Sequence, residues 1–139
     1  MRAFTAGLAA LVLAACVSTN AVRMDESLDL QPICAAGVRV FTDSSKVGQP
    51  YHEVALLNSK GDDSETSEGG MIQSQKHKAA EMGANGIILG TMQGASTGAK
   101  VWRSLLGTSA NRKGTATAIY IPADSARVRT ACKIGATGR

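Results

Sequence analysis

Aromatic side chains are scarce. Phe4, Phe41, Tyr51, Trp102 and Tyr120 are the whole set, 4% of a 139-residue chain. A reader of nucleic acid that works by stacking needs several such rings, so the composition argues against one. Catalytic signatures are lacking too. No GxSxG elbow occurs, and the serines cluster with Gly and Asp, where turn-making accounts for them. The nearest approach to a phosphate loop is Gly94-Ala95-Ser96-Thr97-Gly98-Ala99-Lys100, in which Ala99 stands where a P-loop needs Gly and Val101 where it needs Ser or Thr. The two histidines, His52 and His77, show neither HxH nor HExxH spacing, and His77 lies between Lys76 and Lys78 as on a solvated face. A metal or small-ligand module built on His52 and His77, with Met71 or Met82, is the alternative reading of the chain. The three cysteines form no CxxC pair, which leaves a zinc site little support. No apolar run approaches the roughly 20 residues of a membrane-spanning helix.

What is present points to a cell address. Met1-Arg2 is a short basic start, and residues 6–15 are wholly Ala, Leu, Val and Gly. That is the pattern of a secretory signal peptide, expected over residues 1–15. The run ends Leu13-Ala14-Ala15-Cys16, which resembles a bacterial lipobox. The resemblance implies that Cys16 carries the lipid, diacylglycerol and palmitate, as the first residue of the mature chain. Val17 follows it. In the enterobacterial lipoproteins that this chain resembles, an Asp there signals retention in the inner membrane, so its absence implies the outer membrane, with the domain facing the periplasm.

Cys34 and Cys132 then remain, one at each end of the presumed domain. An oxidising envelope permits a disulfide between them, with free thiols or a metal pair as the alternatives. Residues 16–37 are expected to be the lipidated Cys and a polar tether. A flexible chain over residues 17–32 averages roughly 20–25 Å end to end. The domain is expected over residues 38–122 and a basic tail over 123–139.

Within the domain, Val38-Arg39-Val40-Phe41-Thr42 largely alternates apolar and polar, and residues 51–57 are too apolar for a loop; both read as strands. Residues 58–70 read as a surface loop. Residues 71–82 read as a helix, with Ile72, Gln75, Ala79 and Met82 on one face and Gly83 just past its end. Residues 87–89 and 115–121 read as two more strands. The expected fold is α+β, a small four-stranded sheet with one main helix on one face, in the order β-β-α-β-β.

The segment Lys78-Ala79-Ala80-Glu81-Met82-Gly83-Ala84-Asn85-Gly86-Ile87-Ile88-Leu89 resembles a helix-to-strand junction of small bacterial envelope domains. The family is that of the Rcs-type stress-sensor lipoproteins, with related uncharacterised lipoproteins and YbjQ-like proteins. The resemblance spans residues 38–121 and the lipobox. It implies a sheet domain that binds other envelope proteins, in envelope sensing, and catalyses nothing. The mature chain holds two cysteines besides Cys16 and no Pro-rich spacer, so the uncharacterised lipoproteins are the nearer match.

Charge is unevenly spread. Residues 100–139 hold eight Lys and Arg against the single acid Asp124. Residues 100–113, with Lys100, Trp102, Arg103, Arg112 and Lys113, are therefore the expected contact segment, toward an envelope protein or an anionic polymer. No cofactor is expected. No nucleic-acid partner is expected either, because the lipid holds the domain outside the cytoplasm.

Overall fold

The computed structural model describes residues 17–63, 66–94, 96, 100–101, 105–106 and 110–137. Among them are five strands: β1 (Ser18–Arg23), β2 (Arg39–Phe41), β3 (His52–Asp62), β4 (Gly86–Gln93) and β5 (Asn111–Tyr120). Two longer helices join them, α1 (Glu68–Glu81) and α2 (Ser125–Thr137). The chain is α+β, as its sequence implies. The strands form one mixed sheet in the order β1-β3-β5-β4-β2. β5 lies at the centre, antiparallel to both β3 and β4.

Several expectations need correction. The sheet has a fifth strand, drawn from the segment expected to be a tether. β1 pairs antiparallel with β3 from Ser18 opposite Lys60 to Arg23 opposite Ala55. Backbone hydrogen bonds make this edge, so no apolar pattern was required of it. Its inward side chains are small: Ala21 packs against the core, and the Thr19 Oγ1 lies 2.9 Å from Ser59 Oγ and 2.6 Å from Ser74 Oγ. The expected tail is a second helix, α2. The first two of the four expected strands are not neighbours: β2 pairs parallel with β4 at the far edge, and β3 lies beyond β5. β3 also continues through residues 58–62, where a loop was expected. Leu57, Ser59 and Gly61 are all buried there, and small side chains let α1 sit close.

The core lies between α1 and the sheet. Val54, Ala55, Leu57, Ile87, Ala116 and Ala118 meet Ala79, Ala80 and Ala84, all buried. A second cluster of Phe41, Val47, Ile119 and Ile121 covers one corner of the opposite face. The Ser67 hydroxyl caps α1 by accepting from the Gly70 N–H at 3.0 Å. At its other end Gly83 has φ +79, and its N–H donates to the Ala80 carbonyl at 3.0 Å. A Cβ there would stand 2.5 Å from Leu30 Cβ, so the chain after β1 wraps against this bare glycine.

The helix face is close to the expected one. Met71, Gln75, Ala79 and Ala80 are buried, while Ile72 and Met82 pack at its margin. Gln75 is 0% exposed, yet its Nε2 and Oε1 have no hydrogen-bond partner among the described residues. Burying an unpaired amide costs stability. Gln75→Met, of similar length without the polar atoms, is expected to stabilise the domain by about 1–2 kcal/mol. Urea unfolding measures it; a lower midpoint would mean that the amide is satisfied in solution.

Candidate functional site

The ladder register sorts side chains onto the two faces of the sheet. Away from α1, three rows of side chains cross the strands. The first is Val22, Leu56, Thr117 and Ile88. The second is Asn20, Asn58 and Thr115. The third, at the end where β1 begins, is Ser18, Lys60, Lys113 and Gln93. No described helix covers these rows. Val22 is 60% and Leu56 41% exposed. The polar rows form a shallow groove of about 420 Å³, lined by Asn20, Asn58, Lys60, Gln93, Lys113 and Thr115 among others. Amides, hydroxyls and two ammonium groups at one end grade into aliphatic side chains at the other. Such a surface can bind by hydrogen bonding, cation attraction and apolar contact; among its described residues no nucleophile is paired with a base.

The expected contact segment is divided by the structure. Trp102 and Arg103 lie outside the described residues. Arg112 is in β5, where its guanidinium meets Asp63 at 3.5 Å and Glu68 at 3.5 Å. Lys100 meets the same Asp63 at 3.4 Å. Both cations thus meet the residue just after β3, and Arg112 also ties the start of β5 to the start of α1. Lys113, next to Arg112 in the strand, points to the opposite face and joins the groove. Sequence reasoning missed Lys60, Asn20 and Asn58, because residues 17–32 and 58–70 carry no strand signal. The alternation of Leu57, Ser59 and Gly61 was the one hint.

His52 is exposed at the start of β3 and His77 is exposed on α1. Among the described residues no group of three His, Cys, Asp or Glu side chains converges on a common point. The resolved carboxyl shifts belong to turns. The Ser27 hydroxyl and N–H hold Asp25 below the usual carboxylate range, and Ser45 does the same for Asp43.

Cys34 and Cys132 are joined by a disulfide, with their Cα atoms 5.6 Å apart. It fastens α2 to the 3-10 turn Ala35–Gly37. Arg127 strengthens the junction, donating to the Gly37 carbonyl and to the buried Asp124, each at 2.7 Å. A second groove, of about 320 Å³, lies beside this junction between Leu30, Tyr120 and Arg129. Cys16 lies outside the described residues. No described helix is long and apolar enough to cross a membrane.

No family model matches the chain, and no curated protein matches its sequence. Among solved structures it is similar to the crystal structure of a Francisella virulence factor, FvfA, with a TM-score of 0.51 at 12% identity. The match covers 73% of this chain and 96% of that one. At that identity the likeness is one of fold.

Proposed function

We propose that this chain is a bacterial envelope lipoprotein, anchored through Cys16 at the outer membrane and facing the periplasm. Its domain binds another envelope component and performs no catalysis. It belongs with the uncharacterised lipoproteins related to the Rcs-type sensors. The observation that carries the reading is the open sheet face, polar at one end and aliphatic at the other, on a strand that begins two residues after the lipobox Cys. The binding surface is therefore the face lined by Leu56, Thr117 and Asn58, rather than the whole of residues 100–113.

Two measurements test it. The intact mass of protein extracted from membranes should equal residues 16–139 plus acyl chains, less two hydrogens for the disulfide. A photocrosslinking residue at Leu56 should trap an envelope component in living cells, and one at His77, on α1, should not. Leu56→Asp should reduce crosslinking from Thr117 about tenfold, as expected when an apolar contact is replaced by a desolvated charge. Equal crosslinking from His77 would remove the sheet face as the binding surface.

A further inference from the structure

We infer that the end of the sheet nearest Cys16 is a membrane-seating surface for anionic phospholipid. The inference rests on the proposed anchor at Cys16. With residues 17–32 folded into the domain, little slack separates lipid from sheet. Ser18 opens β1, so Cys16 can lie no more than about 7 Å from it. Ser18 stands opposite Lys60, and Lys60 opposite Lys113. The acyl chains therefore hold these two ammonium groups against the headgroups.

Neither lysine makes an ion pair among the described residues. The described acids at this end are otherwise engaged: Asp63 with Lys100 and Arg112, Glu68 with Arg112, and Asp62 in an interaction of its own. The connection from β4 to β5 emerges at the same end. It carries Val101, Leu105 and Leu106, which are helical and 50%, 70% and 65% exposed. Free cations beside exposed aliphatic side chains match a surface of anionic headgroups over acyl chains. An acidic protein would satisfy the lysines but leave the proximity to the anchor without a role. Seating this end on the bilayer stands the strands away from it and leaves the open face free to its side.

The test uses the full-length lipoprotein, purified from membranes and reconstituted into vesicles. Trp102 is the chain's one tryptophan and lies next to Val101 in sequence, so it reports on this connection. With phosphatidylglycerol vesicles containing brominated lipid, Trp102 fluorescence should be quenched. With phosphatidylcholine vesicles the quenching should fall by more than half. Each lysine near an anionic surface biases the seated state roughly fivefold, so Lys60→Ala with Lys113→Ala should shift the balance about 25-fold. Leu105→Ser with Leu106→Ser, exposed positions whose change spares the core, should also abolish quenching. Flotation with the vesicles separates the two readings. Protein that floats but is unquenched overturns the seating and leaves the anchor standing. Quenching that ignores lipid charge and the lysine pair overturns the phospholipid assignment. Protein that does not float removes the anchor, and the seating with it.

Discussion

Replacing both Cys34 and Cys132 with Ser is expected to lower the stability of the domain by roughly 4–5 kcal/mol, a large part of what a domain of this size possesses. The bridged residues are 98 apart in sequence, and the cost of closing a loop of that length falls on the unfolded chain. The effect should be concentrated at one end of the molecule. α2 buries little beyond Val128 and is held otherwise by Arg127, Asp124 and the disulfide. Hydrogen exchange should therefore rise first in α2 and in the turn Ala35–Gly37, with β5 last. In thermal melts under oxidising conditions the variant should lose roughly 15–25 °C. Unchanged melting would mean that the bond is not formed in the protein.

Asn85 should be almost as sensitive. It is 2% exposed and uses every polar group it has. Its Nδ2 donates to the Ile121 carbonyl and its Oδ1 accepts from the Ile121 N–H, both at 2.8 Å. Its own N–H donates to the Ile119 carbonyl at 3.0 Å, and its carbonyl accepts from the Arg39 N–H at 3.0 Å. One residue thus ties the ends of β5, β4 and β2 together. Asn85→Ala strips two buried backbone groups of their partners, at about 2–5 kcal/mol in total.

Asn85→Asp adds a pH signature. A carboxylate keeps the bond from the Ile121 N–H but sets its second oxygen against the Ile121 carbonyl. Only the protonated acid can donate there, so folding raises the pKa of this carboxyl. The stabilising contribution of the neutral form is fully present below the unfolded-state pKa and is lost as pH rises through the folded-state value. The deficit of Asn85→Asp relative to wild type, read by urea unfolding, should shrink in acid. Asp25 and Asp43 have the opposite sign in the wild-type chain. Their lowered pKa values add stability above the unfolded pKa, and it is lost as pH falls through the folded one. A deficit that stays constant with pH would mean that the Asp side chain has turned away from Ile121.

The segment Gly83-Ala84-Asn85 shows how far the sequence could be read. The helix end at Gly83 was visible, because a glycine after a run of helix formers fits the left-handed cap. An asparagine just past such a glycine suits a local turn, where its side chain bonds nearby backbone, but Asn85 reaches further. Its partner, Ile121, is 36 residues away. The α+β class followed in the same way from local alternation and helix periodicity. β1 and the second half of β3 did not, because Thr19, Ser59 and Gly61 are inside for their small size and hydroxyl pairing rather than for hydrophobicity.

The local sequence determined α1, its glycine stop and the β5 alternation, and it offered Cys34 and Cys132 as a pair that the structure then joined. Those features depend on neighbours along the chain, on residue size, and on φ and ψ preferences. Only the tertiary structure decided which strands pair, that residues 18–23 form an edge rather than a tether, and that Lys60 and Lys113 share a face while Arg112 is neutralised on the other. Register across a sheet joins positions far apart in the chain through backbone hydrogen bonds, and the backbone is the same for every residue except proline. A charged side chain in sequence therefore shows its sign, and the ladder decides what it meets.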